Sequence, residues 1–216
     1  LEVGDAAERH PESLRADGYK EAFINDALMH VRFTTRQNEC GGRRLFAGTG
    51  RGVGGSGSIN AMVYTRGSRE DYEAFGDGWR WPDVVPHFED LEQRLEPRRR
   101  APTDFNEACI SAAEEQGFRR KADLNDGDLS GVLGYEWMNF KGEQRRNSYV
   151  AFIRDPRPAN LQLFTGVEAT RLEFEPGAIP RVVGVHVKSK EGPAFFEARH
   201  EVLLCLGALA TPVLLL

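Results

Sequence analysis

The chain has 216 residues, 28 Lys and Arg against 33 Asp and Glu, a net charge of −5 and three cysteines. That length builds one or two domains with a sizeable core, and the acidic balance argues against a nucleic-acid partner, which needs a concentrated basic face. Cys40, Cys109 and Cys205 are far apart and match neither a metal-ligand spacing nor a disulfide framework, so a reducing, cytoplasmic setting is expected; no run of about 18 apolar residues suggests a membrane span.

Leu1-Glu2-Val3-Gly4 reads as the tail of a strand with an acid at its end. Phe33 to Arg36 and Leu45 to Ala47 read as a hairpin around Cys40-Gly41-Gly42. Residues 50–73 follow, GRGVGGSGSINAMVYTRGSREDYE, and five of the first eight are glycine. Backbone N–H groups of such a loop can approach a bulky anion, because no side chain holds the ligand away. Ser56 to Tyr64 is expected to start a helix, whose N-terminus favours phosphate. Gly50, Gly52 and Gly55 also fit G-x-G-x-x-G, with Glu70 and Asp71 about 20 residues on. That dinucleotide fingerprint needs a buried strand before it. Arg43-Arg44-Leu45-Phe46-Ala47 is short, charged at one end and broken by Gly48. No Gly-Lys-Ser/Thr follows, which argues against a P-loop. A flexible surface loop would explain the glycines, but not the apolar Ile59, Met62 and Val63 behind them.

Ser68 can cap a helix over Arg69 to Phe75, and Pro82 opens one over Asp83 to Gln93. Thr103 can cap Asp104 to Gln116, with Gly117 at its end. Its Phe105, Cys109, Ile110 and Ala113 have the spacing of a packed surface helix. The basic runs Arg98 to Arg100 and Arg119 to Lys121 read as solvated loop or helix-end charges. Asn160 to Gly166 is a strand candidate. Glu168 to Phe174, Val182 to Lys188 and Ala194 to Ala198 read as a meander, punctuated by Pro176-Gly177 and Glu191-Gly192-Pro193. Val202 to Leu206 is uninterrupted and apolar, as a buried parallel strand would be, and a helix is expected from Gly207. Leaving Leu214, Leu215 and Leu216 uncovered forfeits roughly 1.5–3 kcal/mol per side chain, so the chain reads as an internal piece of a longer protein.

Residues 50 to 60, continued through Tyr64, Gly67 and Glu73, resemble the first signature of the glucose–methanol–choline (GMC) flavin oxidoreductases. The likeness recurs in family order: Gly78-Trp79-Arg80-Trp81-Pro82 to Phe88, then Arg157-Pro158-Ala159-Asn160-Leu161 with Thr165-Gly166, then Glu201 to Leu215, which resembles the opening of the second signature. The choline-dehydrogenase-like branch is the most similar.

The resemblance implies an α/β fold. In it an FAD-binding Rossmann-like domain, incomplete here, is interrupted by a substrate-binding α+β domain, also incomplete. The expected division is 1–75 and 157–216 for FAD and 76–156 for the substrate side. It implies oxidation of a small-molecule alcohol by hydride transfer to flavin, or else a non-catalytic relative that keeps the scaffold. By resemblance, Glu2 meets the ribose, and the glycine fingerprint lies upstream. Arg51, Val53, Gly54, Gly55 and Ser56 lie along the flavin and its diphosphate, and Asn60, Ala61, Met62 and Val63 lie beside the flavin ring. Ala169 meets the adenine through its backbone, and Gly207 and Ala208 lie near the nucleotide. Ile59 stands where some members carry a flavin-bonded histidine, which implies non-covalent FAD. The family's catalytic histidine pair is expected beyond Leu216, since none of His10, His30, His87, His186 and His200 sits in such a motif. No metal site is expected. Gly57 replaces a usual serine, and Gly48-Thr49 a common proline.

Overall fold

In the computed structural model, which describes all 216 residues, the helices are α1 (Tyr19–Ile24), α2 (Arg69–Glu73), α3 (Trp81–Leu95), α4 (Asp104–Glu115) and α5 (Gly207–Leu215). The short strands are β1 (Met29–His30), β2 (Thr49–Gly50), β3 (Val63–Tyr64), β4 (Arg98–Arg99), β5 (Arg119–Arg120), β6 (Val132–Leu133), β7 (Trp137–Met138), β8 (Phe140–Lys141) and β9 (Gln144–Arg145). Three longer ones follow: β10 (Glu168–Glu175), β11 (Arg181–Ser189) and β12 (Gly192–Glu197). Two units result. The first holds Leu1–Arg9, Asn25–Gly55 and Ala159–Leu216; the second holds His10–Ile24 and Ser56–Pro158. Residues 10–24 and 56–75 therefore pack with 76–158, so packing cuts the chain at other points than the functional division expected from sequence.

The first unit is built on the meander. β10, β11 and β12 pair antiparallel in that order, with Leu172 opposite Val185 and Val185 opposite Phe196. Alternation puts Leu172, Val185 and Val187 on one buried face, with Ala169, Val202, Leu204 and Leu214 packed against it. Val202 to Leu206 departs from expectation. It joins no ladder, and Leu203 is 76% exposed. A strand needs a neighbour for its N–H and C=O groups, and although Val202 and Leu204 pack on the meander's face, no strand of the chain pairs with the segment edge to edge. Asn160 to Gly166 likewise reduces to one parallel bridge, Thr165 with Glu2. The hairpin is present: Phe33 pairs with Phe46 and Gln37 with Arg43, around a 3₁₀ turn at Asn38–Cys40 and a left-handed Gly41.

In the second unit the caps act as read. Ser68 Oγ accepts from Asp71 N–H at 3.3 Å, and Thr103 Oγ1 from Asn106 N–H at 3.2 Å. α3 begins with Pro82 in its first turn, and the Asp83 carboxylate accepts from Arg80 N–H. α3 buries Trp81, Val84 and Leu95. Tyr72 packs between Trp81 and Phe88, with ring centroids 5.7 and 6.0 Å away. β3, β7 and β4 form an antiparallel sheet in that order. The arginines of the basic runs are exposed, but Arg98–Arg99 and Arg119–Arg120 lie on strands, not on loops or helix ends, because each finds an edge to pair with.

Candidate functional site

Glu2 organises the glycine loop of the first unit. Its backbone N–H donates to Phe164 O at 2.9 Å and its C=O accepts from Val167 N–H at 2.9 Å, which sets the strand end in place. Its side-chain Oε1 accepts from both Gly4 N–H and Gly52 N–H, each at 2.8 Å. The acid thus ties the end of the first segment to the loop 50 residues on. The approach is so close that a Cβ on Gly4 would lie 2.3 Å from Gly52 N. Arg51 Nη2 donates to Val3 O at 3.4 Å, and Val53 N–H to Asp5 O at 3.2 Å.

Gly52, Gly54 and Gly55 hold φ of 115°, 99° and 55°, values a residue with a side chain rarely adopts. A Cβ built on Gly55 meets nothing within 4 Å, so that side of the loop is open. His30 sits nearby on β1. Burial, then the charges of Arg32 and Arg51, hold its imidazole below the ordinary value.

The second unit carries the next stretch, and here expectation is corrected. Ser56 to Tyr64 does not start an α-helix. A single 3₁₀ turn, Gly55–Ser58, gives way to irregular backbone and then to β3. Met62, whose φ of 65° is left-handed, would end any helix that ran this far. Asn60 Oδ1 accepts from Met62 N–H at 3.0 Å, and Met62 O accepts from Asn139 N–H at 2.8 Å. Met62 is buried; Ala61 and Val63 are exposed.

Two residues that sequence reasoning missed fasten this turn. Arg145 Nη1 donates to Gly57 O at 3.0 Å and to Asn60 O and Asn60 Oδ1, both at 2.9 Å. Asn147 Nδ2 donates to Ser58 Oγ at 2.8 Å, while its Oδ1 accepts from Val150 N–H. Both lie in a charged, unremarkable stretch, Gln144 to Asn147, and no local pattern singles them out. Beside the turn, Tyr19, Phe23 and Ile24 of α1 with Ile59, Asn60 and Ala61 line a groove of about 500 Å³.

Glu2, Arg51, Val53, Gly54 and Gly55 are therefore brought together in one unit, and Ser56, Asn60, Ala61, Met62 and Val63 in the other. Ala169 lies in β10 opposite Val187. Gly207, with φ of 84°, and the exposed Ala208 open α5. No hydrogen bond links these three residues to Glu2 or the glycine loop. No three His, Cys, Asp or Glu side chains form a group that could hold a metal, and no helix is long and apolar enough to cross a membrane.

The sequence profile described as GMC oxidoreductase matches residues 24–216. An alcohol dehydrogenase [acceptor] of Pseudomonas putida is 34% identical over 206 residues, which is 85% of this chain and 36% of that protein. An oxygen-dependent choline dehydrogenase of Paraburkholderia phymatum is 28% identical over 80% of this chain and 33% of its own length. The chain thus spans about a third of the curated relatives it matches. Among solved structures, pyridoxine 4-oxidase from Mesorbium loti superposes with a TM-score of 0.86 at 24% identity, over 99% of this chain and 45% of that one. A formate oxidase superposes at 0.83 with 20% identity, over 99% of this chain and 41% of that one. Both share its fold.

Proposed function

Since the chain belongs to the GMC oxidoreductase family, we propose that it is part of an FAD-dependent enzyme that oxidises an alcohol CH–OH group. The observation that carries this reading is the pairing of Glu2 with a glycine loop open on one side. Loops of this kind hold the diphosphate of a large cofactor through backbone N–H groups, and the acid beside them is the group that takes ribose hydroxyls in dinucleotide-binding folds.

The residues present fit FAD. Glu2 uses only Oε1 on the loop, which leaves Oε2 for a ribose hydroxyl. Gly55 presents a bare, left-handed backbone toward open space, as a diphosphate neighbour requires. Arg51 and Val53 set the loop on the first segment, and Gly54 extends it. Ala169, Gly207 and Ala208 are proposed to meet the nucleotide half, and Ser56, Asn60, Ala61, Met62 and Val63 the flavin half, on the strength of the sequence motif.

When bound, the flavin supplies the redox chemistry by accepting a hydride from the alcohol carbon. This chain's residues bind and orient it. Ile59 is apolar and 6% exposed, and it offers no nucleophile at the position where some relatives attach flavin, so binding is proposed to be non-covalent. The substrate is a small-molecule alcohol; a dehydrogenase and an oxidase both fit these residues. Purification of the full-length protein, followed by acid precipitation, tests the reading. Yellow colour with flavin absorbance, released to the supernatant, is the expected result. A colourless protein would sink the proposal, and colour staying with the pellet would refute the non-covalent part.

A further inference from the structure

Arg145 is fully buried, at 0% exposure. Its Nη1 is satisfied by the two carbonyls and the side-chain oxygen described above. Its Nε and Nη2 are buried and have no partner. No carboxylate neutralises it, whereas Arg66, Arg100, Arg120 and Arg146 in the same unit each reach one. Burial lowers the guanidinium to about 10, so it remains a cation at neutral pH.

An unpaired buried charge is strongly unfavourable, and two orphaned donors add to that cost. Tying three oxygens of a turn needs donors but no charge. No carboxylate of this chain supplies the counter-charge, and an anionic group bound beside the turn would. The turn that Arg145 holds, Asn60 to Val63, is the one proposed above to face the flavin half of FAD, and the inference rests on that reading.

We propose that Arg145 supplies the positive charge that balances the reduced flavin, while its Nη1 fixes the turn through Asn60. In the reaction the alcohol loses a hydride to the flavin and its hydroxyl proton to a base, leaving a carbonyl compound and a reduced flavin with one negative charge. A cation held near the ring favours that product, since nearby charge tunes flavin electronics. Arg145 touches no reacting atom in this account; it acts on the flavin through its charge and on the turn through Asn60.

The test compares the full-length protein with Arg145→Gln, Arg145→Met and Arg145→Lys, measuring FAD stoichiometry and the flavin's two-electron midpoint potential. Wild type holds FAD, and a neutral variant shifts the reduction equilibrium at least tenfold toward oxidised flavin, or about 30 mV for a two-electron couple. Arg145→Lys, which keeps the charge, stays within about threefold of wild type. Either neutral variant suffices, so failure of one to fold leaves the measurement intact. Wild type without flavin would overturn the functional reading and this inference together. Flavin-loaded neutral variants at the wild-type potential would overturn the inference alone. A lysine variant shifted as far as the neutral ones would do the same, because geometry and not charge would then set the potential.

Discussion

The carboxylate of Glu2 accepts a 2.8 Å hydrogen bond from the backbone N–H of Gly52, fifty residues further on. The same oxygen takes Gly4 N–H, so one side chain joins two backbone segments at the mouth of the glycine loop. Its first task is structural, and the other oxygen is the one proposed to take a ribose hydroxyl.

That division separates two substitutions. Glu2→Gln keeps an acceptor for both N–H groups but loses the charge, whereas Glu2→Ala leaves both donors unpaired. An unsatisfied donor costs about 1–3 kcal/mol, so alanine is expected to weaken FAD binding roughly 100-fold and glutamine about tenfold. Titration of the flavin-stripped full-length protein with FAD, followed by fluorescence, measures both. Equal affinities for Glu2→Ala and wild type would detach Glu2 from the site.

Gly55→Val is expected to abolish flavin retention. The φ of 55° resists a β-branched residue, and the new side chain would enter the open space at Gly55. Gly55→Ala should retain more flavin than valine, because its added group is smaller. The check is the ratio of flavin to protein absorbance in folded variants; full occupancy in the valine variant would contradict the assignment.

Glu92 is the hub of a half-buried network. Tyr64 Oη donates to its Oε1 at 2.7 Å, and Arg66 binds both its oxygens, at 2.7 and 2.6 Å. Burial alone would raise the carboxyl, but the bonds from Arg66 and Tyr64 outweigh it and hold it below the usual carboxylate range. Burial, and then Glu92, push the Tyr64 hydroxyl well above its ordinary value. A lowered carboxyl contributes stability that is full above its unfolded value, about 4.3, and is lost as pH falls through the folded value. Glu92→Gln should therefore cost about 2 kcal/mol at neutral pH and flatten the acid limb of the stability curve. Thermal unfolding from pH 7 to 3 reads both effects; an unchanged acid limb would remove Glu92 from that role.

A polypeptide of these 216 residues alone is expected not to oxidise alcohols, even with FAD added. The relatives it matches carry about two thirds of their length outside the matched region, and none of the five histidines here is proposed as the base. A general base alone contributes roughly 10²–10⁴-fold. An assay with an artificial electron acceptor and a panel of alcohols, choline among them, decides it. Turnover that scales with polypeptide concentration through repurification would overturn this expectation.

The residues alone determined whatever depends on near neighbours. Ser68 and Thr103 cap because their hydroxyls reach N–H groups three residues on, and the meander follows from alternation that needs only adjacent strands. The glycines of the loop marked a backbone open to close approach, because no side chain stands in the way. Other features rested on partners far along the chain. Met62 would end the expected helix because Asn60 and Asn139 hold its backbone from either side. Val202 to Leu206 has the composition of a strand but lacks one to pair with. Arg145 reads as one charge in a polar stretch; only the folded chain buries it against Gly57 and Asn60, nearly ninety residues away, where its charge has no counter-ion. Burial and long-range pairing decide such roles, and neither leaves a local trace in the sequence.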